Sequence, residues 1–133
     1  MTFELWTLLG AALLGLVHLS AASFSFKAQV GNTYAVGARD EGLQPRGISA
    51  RLYRANANFL ETFPYFAVCV LIVHLTQAYG ALSWWGCTIY IVGRVAFLPL
   101  YAAGVPWIRT LSWNAATLGL VLVGAQAAWA HFY

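Results

Sequence analysis

Residues 51–61 carry Arg51, Arg54, Asn58 and Glu61 at spacings of three, four and three. On a helix that spacing gathers them on one face, with Leu52, Phe59 and Leu60 turned away from it. The chemistry of such a stripe is recognition of a small charged molecule. Arginine forks take carboxylates in two-point contacts, and a cation beside a thiol favours the thiolate. Further along, Arg94 and Tyr101 are seven residues apart and share a face, and Arg109 is followed by Thr110. No His, Cys or carboxylate grouping has metal-ligand spacing, so no metal site is expected.

The elements that must hold these residues are set by composition. Of the 133 residues, 61% are hydrophobic and 8% charged, against ~25% charged in an average soluble chain. The mean hydropathy is +0.69. Too few polar groups exist to cover a water-facing surface, and an integral membrane protein of a single domain over residues 1–133 is expected. Four apolar stretches each approach the roughly 20 residues that cross a bilayer, and backbone groups in lipid must be satisfied within helices. The fold class is therefore all-α, a four-helix membrane bundle, with spans predicted at about 3–26, 55–79, 82–101 and 109–132. The first is a span rather than a cleaved signal: Glu4 occupies the place of a basic leader segment, and the run is too long.

Charge sets the topology. Lys27, Arg39, Arg46, Arg51 and Arg54 lie between the first two spans, Arg94 within the third and Arg109 between the third and fourth. The 77–83 connection and both ends carry no basic residue. The positive-inside rule puts both charged loops in the cytoplasm and both termini outside, with Trp84, Trp85, Trp129 and Tyr133 as aromatic anchors at the outer interface. The sequence pI of about 9.1 reflects this asymmetry. There is no phosphate-reading motif or detached basic arm, and no nucleic-acid partner is expected.

In that topology the second span enters from the cytoplasm, and Glu61 lies roughly 10 Å deeper than Arg54. Pro64 cannot donate to the carbonyl of Leu60, which predicts a kink or loosened turn. Arg94 approaches the same depth from the other direction. A charge within a bilayer is usually paired, so an Arg94–Glu61 salt bridge is expected. Snorkelling explains Arg51 and Arg109 singly. A cavity receiving an anionic, hydrogen-bonding ligand accounts better for Arg51, Arg54, Asn56, Asn58, Glu61, Arg94, Tyr101 and Arg109 together. Cys69 and Cys87 are expected as small apolar residues, and His18 and His74 as structural hydrogen-bonding groups. The glycine-rich 27–49 loop is read as a solvated connection or a lid over the charged mouth. Ala11-xxx-Gly15 and Ala115-xxx-Gly119 permit close helix packing.

The run Arg51-x-x-Arg54-Ala-Asn56-x-Asn58-x-x-Glu61-Thr62 resembles the second-helix signature of the MAPEG family, the membrane-associated proteins in eicosanoid and glutathione metabolism. Gly93-Arg94-Val95-Ala96, Tyr101 and Ile108-Arg109-Thr110 are similar to the family pattern in helices 3 and 4, and Phe59-Leu60-Glu61-Thr62-Phe63-Pro64 looks most like its small bacterial branch. The resemblance implies a homotrimer in a bacterial inner membrane, with glutathione as cosubstrate held between subunits near the cytoplasmic face. By motif, Arg54, Asn58 and Glu61 would hold its backbone and charged ends, flanked by Arg51 and Asn56. Arg94 and Tyr101 would line the same pocket. Arg109, with Thr110 beside it, would stabilise the thiolate, and Arg109 and Tyr101 would be the catalytic pair. A lipophilic small-molecule substrate would enter from the membrane lipids. Two departures from the family pattern stand out: family enzymes tend to carry a basic residue in helix 1 that helps bind glutathione, whereas here Lys27, close to the helix end, is the only cation in that region, and Trp113 stands where some relatives place a tyrosine. The activity implied is glutathione-dependent transfer or peroxide reduction. The alternatives are a non-catalytic or lipid-binding scaffold of the same fold, and a small transporter using Glu61 and Arg94 as intramembrane charges.

Overall fold

The computed structural model describes residues 1–132, with His131 described by its backbone only; Tyr133, one of the expected anchors, lies outside the described residues. Four long helices dominate: α1 (Phe3–Val30), α3 (Ile48–Leu75), α4 (Ala81–Ala102) and α5 (Pro106–Trp129). A five-residue helix α2 (Asn32–Val36) interrupts the first connection, and a 3-10 turn (Ala130–Phe132) follows α5. No strand occurs among the described residues.

All four long helices are long and apolar enough to cross a membrane. Little of each apolar window is buried inside the chain, from 17% for α5 to 39% for α4. Trp6, Leu13, Leu16, Leu60, Val92, Leu111 and Val121 stand exposed around the bundle. Lipid is the solvent that tolerates such a girdle, and the chain is an integral membrane protein.

The helix ends differ from those predicted. The second long helix begins at Ile48, seven residues before position 55, because the polar run Arg51–Asn58 is itself helical. It ends at Leu75 rather than near 79, where Thr76 and Gln77 turn the chain. Gln77 adopts a positive φ of 55° there. The fourth begins at Pro106, whose fixed φ and missing N–H suit a first turn. Gly104, at φ 75°, makes the reversal between α4 and α5. Helix α3 runs on through Pro64.

Packing is tightest between α4 and α5. A Cβ on Gly119 would stand 2.6 Å from the Gly86 carbonyl oxygen, and one on Gly86 would stand 2.7 Å from the Gly119 carbonyl oxygen. The two backbones touch, as small residues allow in membrane bundles. Nearer the arginine-rich end, Ser112 Oγ donates to the Gly93 carbonyl at 2.7 Å. On α1, Ala11 is fully buried, and Gly15 leaves room for the Phe59 ring, which would lie 3.0 Å from an added Cβ. The core is completed by Phe66, stacked on Tyr90 with centroids 3.8 Å apart, and by Val70, Val73, Cys87, Ala116 and Val123.

At the end away from the arginines, buried Glu4 accepts a 2.7 Å hydrogen bond from Ser83 Oγ, which ties α1 to the first turn of α4. His74 Nδ1 and Tyr79 Oη lie 2.6 Å apart, the structural hydrogen bond expected of His74. Trp84, Trp85 and Trp129 are exposed at this end. The 37–47 loop is braced at the other end by Gln29, whose Oε1 accepts from Arg46 N and whose Nε2 donates to the Gln44 carbonyl. Tyr34 Oη accepts from Leu43 N at 2.8 Å. Together these give the loop a fixed path beside a cleft of about 560 Å³, lined by Phe26, Tyr34, Arg39, Leu43 and Tyr53 among others.

Candidate functional site

Arg94 is the largest side chain that the bundle encloses completely. It reaches from α4 to one turn of α3. Nη1 donates to Asn58 Oδ1 at 2.8 Å, and Nη2 donates to the Asn58 carbonyl oxygen at 3.2 Å and to Thr62 Oγ1. Thr62 Oγ1 and Tyr90 Oη are 3.3 Å apart, closing the group. Three aromatic rings surround the guanidinium: its carbon lies 5.2 Å from the Phe97 centroid, 5.8 Å from Phe59 and 5.9 Å from Tyr90. Neutral oxygens and ring faces thus take the place of a counter-ion.

The expected Arg94–Glu61 salt bridge is not formed. Glu61 is exposed and makes no ion pair with Arg94 among the described residues. The reason is helical phase. Asn58 and Thr62 are four apart and stack on the flank of α3 that meets α4, whereas Glu61 is one residue, or about 100°, around the helix from Thr62. The stripe therefore divides. Arg51 and Asn58 lie at its half-buried edge, and Arg54 and Glu61 lie on the exposed part. Asn56, two residues from Asn58, is half-buried on a different side of α3 and does not join the group.

Around the mouth, Arg51 Nε donates to the Ala102 carbonyl at 2.9 Å, binding the first turns of α3 to the end of α4. Tyr101 packs against Phe97, with centroids 5.3 Å apart. The Arg109 guanidinium carbon stands 4.6 Å from the Tyr101 centroid. Contacts thus run unbroken from Asn58 through Arg94, Phe97 and Tyr101 to Arg109. Thr110 Oγ1 donates to the Pro106 carbonyl of its own first turn and stays exposed. Arg109 is half-buried, and among the described residues no carboxylate pairs with it.

His18 differs from expectation. It is fully buried, yet neither ring nitrogen has a hydrogen-bond partner among the described residues. It stacks instead on Phe59, with centroids 4.7 Å apart, because the neighbouring α3 surface at that level is aromatic. Thr62 and Tyr90 carry no charge and do not stand out in the sequence as Arg94 and Asn58 do. The available signal was spacing: Thr62 is four residues after Asn58 and Tyr90 four before Arg94, so each adds a hydroxyl to a face already marked as polar.

A bundle of four helices long and apolar enough to cross a membrane, with arginine, asparagine and tyrosine side chains gathered at one end, defines the class: an integral membrane protein. The sequence matches the MAPEG family over residues 3–129, and the chain belongs to that family. Searches of curated proteins and of solved structures return no match.

Proposed function

We propose that the protein is a membrane-bound glutathione-dependent transferase or peroxidase acting on lipophilic electrophiles, assembled as a homotrimer. The observation that carries this reading is Arg109: a half-buried guanidinium resting on the Tyr101 ring, with no carboxylate taking up its charge among the described residues. A cation so held is available to a thiolate. A free thiol has a pKa near ~8.5, and lowering it by about one unit raises the ionised fraction at neutral pH several-fold. Arg109 would hold the sulfur in that form while it attacks the electrophilic carbon. Tyr101 would fix the guanidinium in place.

Arg54 and the Asn58 amide offer donors for the carboxylates of glutathione, Glu61 offers an acceptor for its ammonium group, and Arg51 flanks them. Exposed on one chain, Arg54 and Glu61 are costly in or near lipid, and a second copy of the chain across a glutathione molecule would cover them. Asn56 and Thr110 contribute less in this reading, since Asn56 lies on another side of α3 and Thr110 is bonded to its own helix. The lipophilic substrate has an apolar approach: a cleft of about 460 Å³ between α4 and α5, lined by Val92, Ala96, Leu100, Ile108 and Leu111 among others, with Ile108 next to Arg109. We place the arginine-rich end in the cytoplasm on the positive-inside rule.

The test is Arg109→Ala in detergent. Conjugation of an aryl halide should fall about 100-fold or more, the scale of losing one charge-stabilising donor, while the oligomer and its melting temperature persist. Activity equal to wild type would remove Arg109 from the chemistry. A second reading, a non-catalytic scaffold of the same fold, is favoured by one observation: both terminal nitrogens of buried Arg94 donate to α3 of the same chain, as in a packing device, while its Nε has no partner among the described residues. That reading expects no thiol-dependent turnover and no thermal shift with millimolar glutathione.

A further inference from the structure

The completeness with which Arg94 is enclosed has a chemical consequence for Asn58. A side-chain amide has two ends, one accepting and one donating, and ordinarily turns to suit its ligand. A guanidinium has donors only. Arg94 Nη1 sits 2.8 Å from one end of the Asn58 amide, and that end must be the oxygen. The same guanidinium holds the Asn58 backbone carbonyl at 3.2 Å, so the amide and the turn that carries it are gripped together. Thr62 takes a further Arg94 donor, and Tyr90 lies against Thr62. Phe59, Tyr90 and Phe97 close off the guanidinium. Asn58 itself is only half-buried. Its amide nitrogen is neither sealed inside the protein without a partner nor bonded within the chain among the described residues.

We propose that Arg94 is a positioning residue that fixes the polarity of the α3 site. By holding the Asn58 oxygen inward, it leaves Asn58 only N–H donors to present, so this subsite accepts a carboxylate or carbonyl oxygen and rejects an ammonium or amide N–H. The ammonium-accepting function falls to exposed Glu61 one turn deeper. The site thereby reads a zwitterionic peptide end in one direction only. The proposal rests on the glutathione reading above and gives Arg94 a role in it without contact with the ligand.

Asn58→Asp separates the possibilities. The new carboxylate keeps the acceptor that Arg94 grips, so the ligand-free melting temperature should hold or rise. The donors are lost and a negative charge faces the ligand carboxylate, so glutathione affinity, read by calorimetry on the detergent-solubilised protein, should fall about ten-fold or more. Arg94→Lys keeps the charge but cannot span both Asn58 oxygens and Thr62 at once. It should raise KM for glutathione several-fold, while kcat at saturating thiol and KM for the electrophile stay within about two-fold. A merely structural role would not divide the constants in this way. Wild-type affinity in Asn58→Asp, or an Arg94→Lys enzyme with unchanged KM or with its loss in kcat, overturns the assignment. Absence of glutathione binding by the wild-type protein overturns the glutathione reading itself, and the proposal falls with it.

Discussion

Helix α3 has two polar flanks less than a turn apart, and they are treated in opposite ways. On one, Asn58 and Thr62 meet Arg94, and their side-chain oxygens are used within the chain. On the other, Arg54 and Glu61 stand exposed with no ion pair to Arg94 or to each other among the described residues. The first flank behaves like core. Its polar groups are costly to leave unpaired in lipid, and the bundle supplies their partners. The second is left to whatever lies outside the chain, and it is this flank that the proposed function assigns to the ligand. In the function proposed above, the difference separates residues that hold the helices together from residues left to contact a ligand.

The contrast can be broken or sharpened by substitution, and the expected effects on stability fall steeply from one flank to the other. Arg94→Met should be the most damaging. It leaves the half-buried Asn58 oxygen and Thr62 hydroxyl without their donor and cannot refill the buried space of the guanidinium, at a cost of about 2–5 kcal/mol, read as a large drop in melting temperature or loss of folded protein. Thr62→Val removes one acceptor from Arg94 and the neighbour of Tyr90, and should cost about 1–2 kcal/mol. Tyr90→Phe keeps the stack on Phe66 and gives up only the hydroxyl contact, for about 0.5–1 kcal/mol. Glu61→Gln should change the ligand-free stability by less than about 0.5 kcal/mol while weakening glutathione binding by about ten-fold or more, the scale of one charge-assisted hydrogen bond. A melting temperature that falls as far for Glu61→Gln as for Arg94→Met would erase the distinction between the flanks.

Much of this was legible in the residues. Four spans, their order and the polar face of the second follow from hydropathy and from spacings of three and four. The motif beginning at Arg51 pointed to the MAPEG family, which the match over residues 3–129 shows. The start of α3 was less legible, since a helix that carries Arg51, Arg54 and Asn56 before its apolar run does not look apolar at that end. The pairing of Arg94 was not legible. Charge complementarity pointed to Glu61, and side-chain direction decided for Asn58 and Thr62. His18 shows a similar limit: a polar residue in an apolar run points to a hydrogen bond, yet its neighbour at that depth is the Phe59 ring.

The sequence by itself determined that the chain lives in a membrane, how many times it can cross, and which few polar residues cross with it, because each follows from local composition and helical period. Which of those residues meet was decided only by the tertiary structure. The rotation of α3 against α4, and of α4 against α5 where Gly86 and Gly119 bring the backbones together, turns Asn58 and Thr62 toward Arg94 and leaves Arg54 and Glu61 outside. A helix repeats its directions at every turn, but it does not record which neighbour it will face.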